Sequence, residues 1–357
     1  MQVAFLLEQL LSPVPGGTGR YSRELAAALA ATAPAGAELS GWTAWHRDLA
    51  DAVVPGMGAP RRLGAPRQAL AELWRRGRGP APAADVVHAP TPLVPPVRRS
   101  TQLIATVHDA VPWTHPETLT SHGAAWHRDM GKRIARDAAV VMVPTNAVAE
   151  QLSRFLDLRR VEVVGEGVAA ALADVPPDAA ERVERLRLPP RFALVVGTLE
   201  PRKGLDVAVG AVASSGWPDD LPLVVVGPTG WGELSLPDVP SERLRRLGRL
   251  SDDDLAVTYA HATVVLVPSR SEGFGLPVLE AMTHGVPVVV SEAPALVEVA
   301  GGAALVVPIG DAEALAEAVR DAIEQTTALG AAGRARAAEY SWERAAATCW
   351  DIYATVL

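Results

Sequence analysis

The chain of 357 residues predicts an α/β protein with two parallel sheets in tandem, each covered by helices on both faces. Three observations carry that expectation. Short β-branched runs alternate with longer Ala/Leu/Arg/Glu segments, the alternation breaks once within residues 165–190, and it then restarts and runs on to the C-terminal stretch.

In the first half, residues 3–7, 103–107, 140–143 and 161–164 read as strands, and residues 20–31, 124–136 and 147–156 as helices. The opening MQVAFLL has no Lys or Arg ahead of its apolar residues and is interrupted by Glu8 and Gln9, so it is expected to be the first strand, not a signal peptide. Gly165, Gly167, Pro176, Pro177, Pro189 and Pro190 surround a short charged helical piece, which suits a linker. Strands then follow at 192–196, 223–226, 264–267, 286–290 and 305–307, with helices starting near residues 205, 252, 277, 295 and 311. In the tail, Ser341 is a good helix cap, and Trp342, Ala345, Ala346, Cys349, Trp350 and Tyr353 recur at helical spacing. The expected organisation is a first domain over 1–167, a linker over 168–190, a second domain over 191–340, and a closing helix over 341–357 packed back on the first domain.

Composition removes several function classes. The single cysteine, Cys349, cannot form an internal disulfide or anchor a Cys/His metal site, so a disulfide scaffold and a zinc ribbon are excluded and a reducing compartment is expected. No apolar run approaches the ~20 residues that cross a bilayer. A net charge of −8 argues against a general nucleic-acid binder.

Residues 269–287, SRSEGFGLPVLEAMTHGVP, are the most informative. Glu272 closes a loop after a strand, Gly273, Phe274, Gly275 and Leu276 lead to Pro277 at a first helical position, and Glu280 lies one turn inside the helix. A helix N-terminus approached by glycine backbone suits an anion such as a diphosphate, and carboxylates on either side can accept hydrogen bonds from hydroxyls. The alternative is a loop carboxylate at 272 and a surface residue at 280. Residues 197–204, GTLEPRKG, follow the first strand of the same half and hold Arg202 beside Lys203, one of only two lysines in the chain. An Arg fork and a Lys point charge can together neutralise a diphosphate leaving group; the alternative is a solvated turn.

With these motifs set beside Gly16-Gly17-Thr18-Gly19-Arg20-Tyr21 and Val107-His108-Asp109, nearly the whole chain resembles the retaining glycosyltransferases of family 4, bacterial mannosyltransferase-like members in particular. The two carboxylates separated by seven residues, Glu272 and Glu280, are the specific part; the Gly-rich loop alone is not. The resemblance implies the GT-B fold of two facing Rossmann-like domains with the active site in the cleft between them, the acceptor on the side of the first. It implies that Arg202 and Lys203 hold the nucleotide diphosphate, with Gly197 nearby. Glu272 would face the donor sugar, Gly273 to Leu276 would give backbone contacts, and Glu280 would bind ribose hydroxyls. His108 would lie near the reacting bond with Asp109 beside it, and the loop Gly16, Gly17, Thr18, Gly19 would close over the phosphates. A nucleoside diphosphate sugar, GDP-mannose first, is the expected co-substrate, with no cofactor and no metal, and a glycan or glycolipid of the cell envelope the expected acceptor. A nucleotide-sugar epimerase of the same fold and a non-catalytic nucleotide-sugar sensor are the competing readings.

Other features have structural alternatives. Asp252, Asp253 and Asp254 resemble a metal motif, but Ser251 precedes them as a cap and acids suit a first helical turn. His115, His122 and His127 match no common ligand spacing. His108 is either a satisfied core histidine or a functional group at a strand end, and Asp109 either orients it or caps the following loop. Residues 60–79 carry Arg61, Arg62, Arg67, Arg75, Arg76 and Arg78 against Glu72 alone, with Ala69, Leu70, Leu73 and Trp74 as an apolar stripe. Such a helix either lies on an anionic membrane or covers the protein's own sheet. Residues 1–167 hold 18 Lys and Arg against 15 acids, and residues 168–357 hold 15 against 26. A basic acceptor-side half beside an acidic donor-side half suits a cytoplasmic enzyme turned towards the inner face of the membrane.

Overall fold

The computed structural model describes residues 1–98, 100–230 and 236–357. It divides into two compact units, Met1–Glu166 with Ser341–Leu357, and Gly167–Tyr340.

The first unit is built on a seven-stranded parallel sheet of β1 (Gln2–Leu6), β2 (Glu38–Thr43), β3 (Arg61–Arg62), β4 (Val86–Ala89), β5 (Gln102–Thr106), β6 (Val140–Val143) and β7 (Val161–Val163), in the order β3-β2-β1-β4-β5-β6-β7. The order reverses between β1 and β4, and there the connections pass from one face to the other. β4 and β6 are buried along their whole length; β6 is accordingly apolar without alternation, and in β4 the one polar side chain, His88, is buried with the rest. One face is covered by the helices Gly16–Ala31 and Trp342–Thr355, through Tyr21, Leu25, Leu29, Trp342, Ala346, Cys349 and Tyr353. The other is covered by Arg67–Arg75 and Ser121–Asp137, through Leu70, Trp74, Met130 and Ile134.

The second unit repeats the plan with six parallel strands, β8 (Ala193–Val196), β9 (Leu223–Val226), β10 (Leu244–Gly248), β11 (Val264–Val267), β12 (Val288–Ser291) and β13 (Leu305–Val307), in the order β10-β9-β8-β11-β12-β13. Its reversal lies between β8 and β11. Side-chain caps set several helix starts: Thr120 accepts from the Gly123 N–H, Thr145 from Val148, Ser251 from Asp254, Asp311 from Ala314 and Ser341 from Arg344.

Four expectations are corrected. Residues 168–190 are not a free linker: they contain the helices Ala170–Ala173 and Ala179–Leu186, and Ala169, Leu172 and Leu188 are buried in the second unit's core. Its prolines flank the charged helix Ala179–Leu186 that the sequence suggested, but the segment is packed into the second unit. Gly16 to Gly19 are not a loop but the first turn of the helix Gly16–Ala31, where a Cβ on Gly19 would come within 2.3 Å of the Pro15 side chain. The apolar stripe of the Arg-rich helix faces its own sheet. Trp74 is 1% exposed and donates its indole N–H to the Pro80 carbonyl at 2.9 Å, so it is withdrawn from any membrane contact. Finally β2, β3, β4 and β10 lie where no strand was expected, because short or polar runs such as Arg61–Arg62 carry no period-2 signal.

Candidate active site

Doubly wound sheets place ligands at the carboxyl ends of strands where the order reverses. In the second unit those ends belong to β8 and β11, and they lead into GTLEPRKG and SRSEGFG. The two loops are locked together. The Arg270 N–H donates to the Arg202 carbonyl at 2.8 Å, and the Arg270 guanidinium reaches both carboxylate oxygens of Asp206 at 2.6 and 2.9 Å and the Pro201 carbonyl at 2.8 Å. Gly204 sits at φ +68° with its would-be Cβ 2.1 Å from the Pro268 carbonyl oxygen, so only glycine lets the Arg-Lys turn approach the other loop this closely.

That lock brings Arg202, Lys203 and Glu272 together. Lys203 Nζ donates to Glu272 Oε1 at 2.5 Å, Ser269 Oγ donates to the same oxygen at 2.8 Å, and Arg202 Nη1 donates to Glu272 Oε2 at 3.2 Å and to the Ser271 carbonyl at 2.7 Å. Arg202 Nη2 donates to buried Glu200 at 2.6 Å. Glu272 is 8% exposed, a buried carboxylate instead of the exposed loop residue the sequence allowed. Burial alone would raise its pKa. The charges of Lys203 and Arg202, with the hydrogen bonds from Lys203 and Ser269, outweigh that and bring it down to about 2. The cluster is therefore a fixed anion sharing two cations, each cation partly open to solvent. Gly197 follows β8, and the position its Cβ would take lies 3.9 Å from the Lys203 stem.

Glu280 is fixed separately. It sits in the helix Leu276–Thr283, is 4% exposed, and accepts a 2.6 Å hydrogen bond from the Tyr259 hydroxyl, so it is not a surface residue. The helix begins immediately after Gly275 at φ +96°, where a Cβ would meet a Leu296 methyl at 2.5 Å. Phe274 is spent on the core: its ring packs edge-on against Tyr340 at 5.5 Å. Leu276 lies against the same cluster, so the side chains of Phe274 and Leu276 are engaged by the core.

In the first unit, His108 stands two residues past β5. Its Nε2 donates to the Pro90 carbonyl at 2.8 Å, its Nδ1 faces Glu166 Oε1 at 3.7 Å, and the Tyr21 ring abuts it edge-on at 4.5 Å. Burial alone would lower the His108 pKa. The nearby carboxylate of Glu166, the hydrogen bond to the Pro90 carbonyl and the charge of Asp109 together raise it above the ordinary histidine value. Asp109 does not hold the ring: its Oδ1 accepts from the Val111 N–H at 2.9 Å and caps the next turn. Sequence reasoning missed Glu200, which holds Arg202, and Glu166. Glu166 is 5% exposed, in a Gly-Glu-Gly stretch with no periodic signal and far along the chain from its partner.

Most of the remaining sequence signals are structural. Asp253 and Asp254 are held by Arg182 at 2.9 and 2.7 Å, and Asp254 also by Arg185 at 2.6 Å. His115 pairs with Thr114, and His127 with the Gly123 carbonyl. Arg75 is held by Glu72 and Asp129, and Arg76 by Glu72. Arg61, Arg62 and Arg78 are exposed, and Arg67 is half-buried.

Residues 15–172 match the family described as Glycosyltransferase Family 4, and residues 190–325 match Glycosyl transferases group 1. The MMP alpha-(1->4)-mannosyltransferase of Mycolicibacterium hassiacum is 32% identical over 301 residues, spanning 75% of this chain and 70% of that protein. The chain belongs to glycosyltransferase family 4. Among its relatives is also the O-antigen chain mannosyltransferase B of Escherichia coli, 27% identical over 282 residues, 75% of this chain and 74% of that one. Sucrose-phosphate synthase from Thermosynechococcus elongatus shares the fold at a TM-score of 0.74 and 23% identity, covering 100% of this chain and 99% of that one. The two Rossmann-like units are thus those of a GT-B glycosyltransferase, and the Arg202, Lys203, Glu272 cluster stands in the unit that matches group 1.

Proposed function

We propose that this glycosyltransferase moves a hexose, mannose first, from a nucleoside diphosphate donor to a hydroxyl of a glycan or glycolipid with retention at the anomeric carbon. The observation that carries this reading is the joint lock of Arg202 and Lys203 onto Glu272 at the reversal point of the second sheet. Arg202 is a planar guanidinium and Lys203 a point charge, both held in place and partly open to solvent, so the pair can take up the charge that develops on a departing diphosphate. The cationic role a metal fills elsewhere is met by these two side chains. Glu272 stays ionised, keeps both cations in place, and can accept from sugar hydroxyls. Glu280, on the adjoining helix, accepts from ribose hydroxyls. From the first unit we assign His108 to the transfer step, and the first turn Gly16 to Gly19 to the donor.

In the reaction the bond from the anomeric carbon to the diphosphate oxygen breaks as the acceptor oxygen forms its bond on the same face. The acceptor proton passes to the departing diphosphate oxygen. Such a route asks the protein for positioning and charge stabilisation instead of a nucleophile. The mannosyltransferase relatives support mannose as the sugar. Exposed Arg61, Arg62 and Arg78, without Trp74 and without Arg76, which Glu72 holds, support a phosphate-bearing or membrane-borne acceptor at the cytoplasmic face. Among the described residues no helix is long and apolar enough to cross a membrane.

Purified protein is expected to show a larger rise in melting midpoint with GDP-mannose than with UDP-glucose or dTDP-rhamnose. It should form an α-mannoside from GDP-α-mannose, read from the one-bond carbon–hydrogen coupling at C1. A β-mannoside would overturn retention, and transfer from UDP-glucose alone would overturn the donor.

A further inference from the structure

Glu166 is almost fully buried, ends the first unit's main segment, and has no place in the donor cluster. Its carboxylate points to the Nδ1 side of His108, whose opposite nitrogen already meets a carbonyl oxygen. A carbonyl can only accept, so Nε2 carries a proton. A lone pair on Nδ1 would then face an anion at 3.7 Å, whereas a proton there is attracted to it. The Tyr21 ring blocks rotation on one side.

We propose that Glu166 is a positioning residue for sugar transfer, holding the His108 imidazole in one orientation with both ring nitrogens protonated. The inference rests on the role assigned to His108 above. The other groups facing the imidazole do not compete for this task. Asp109 is engaged by the Val111 N–H, and His88 on β4 is driven by burial down to about 3 and is therefore neutral. Burial also holds the Tyr21 hydroxyl protonated. The raised His108 pKa agrees with this arrangement, since burial alone would lower it and the nearby Glu166 carboxylate opposes that.

The sign of the effect follows. A histidine whose pKa is raised keeps its proton to higher pH and loses it as pH rises through that value, so activity should fall on an alkaline limb set by Glu166. In Glu166→Gln, of equal size, kcat at pH 8 should drop about tenfold or more with the donor KM held within about twofold, and the limb should move to lower pH by about one unit. Glu166→Asp, which restores the charge, should return the limb towards its original position. The His108 imidazole, followed by NMR in the full chain, should titrate at lower pH in Glu166→Gln than in wild type. The inference is overturned when His108→Ala is inactive yet Glu166→Gln keeps the wild-type kcat and limb, or when the His108 titration does not move. The reading beneath it fails separately, when His108→Ala transfers sugar at the wild-type rate.

Discussion

At the level of single residues, Glu272 shows why a loop carboxylate cannot be judged by motif alone. It lies in a loop, which suggests a substitution would be silent for folding, yet it is the common partner of Lys203 and Arg202 in a buried setting. Removing one member of a buried charge cluster leaves the others uncompensated, at about 3–5 kcal/mol for a well-buried pair; solvent access to Lys203 and Arg202 reduces that here. Glu272→Gln should therefore abolish transfer and also lower the melting midpoint. Because the carboxyl is held at about 2, its stabilisation is full above the ordinary glutamate range and disappears as pH falls towards 2. The stability gap between wild type and Glu272→Gln should accordingly close between pH 4.5 and 2. A gap unchanged across that window, measured by thermal melts, would mean that the ion cluster does not stabilise the fold.

Elements show the same dependence on distant partners. The helix Trp342–Thr355 was legible in sequence through its cap and its apolar spacing, but its register against the sheet was not. That register is set by a chain of polar contacts in the core: Tyr353 hydroxyl to His88 Nδ1 at 2.6 Å, His88 Nε2 to Thr106 at 2.9 Å, and Thr106 to the Tyr21 hydroxyl at 3.2 Å. Tyr353→Phe leaves a buried ring nitrogen without its partner and should cost about 1–3 kcal/mol, seen as a lower denaturant midpoint with an unchanged slope. An unchanged midpoint would show that this contact does not anchor the helix. The strands β1, β5, β6, β9 and β11 were legible because burial on both faces writes a continuous apolar run into the chain. β3 and β10 were not, since edge strands carry arginines. Arg202, Lys203, Glu272 and Glu280 were found as motifs; Glu166 and Glu200, which hold His108 and Arg202, are single acids whose meaning exists only in the fold. The stripe ending at Trp74 was visible, but periodicity cannot tell a membrane from the protein's own sheet.

For the molecule as a whole, the two units differ in how the chain builds them. The second is one continuous stretch, Gly167–Tyr340, with both parts of its core drawn from that stretch, whereas the first needs Ser341–Leu357 to cover one face of its sheet. The charge follows the same division. The first unit, with its C-terminal helix, holds 19 Lys and Arg against 17 acids, and the second holds 14 against 24. An acidic unit repels a diphosphate at long range, so under the proposed function capture would fall to the local pair Arg202 and Lys203 on the turn Pro201–Lys203 after β8, at distances where screening is weak. Expressed alone, residues 167–340 are large enough to bury a core and should melt cooperatively. This fragment should bind GDP in calorimetry, and Lys203→Ala within it should weaken that binding about 10-fold or more. Residues 1–166 alone should lack a cooperative melt until a peptide of residues 341–357 is added, because the face around Tyr21, Leu25 and His88 is otherwise open to water. A folded 167–340 fragment without affinity for GDP would overturn the assignment of the donor phosphates to Arg202 and Lys203. A cooperative melt of 1–166 by itself would show that the C-terminal helix is an accessory to that unit, not part of its core.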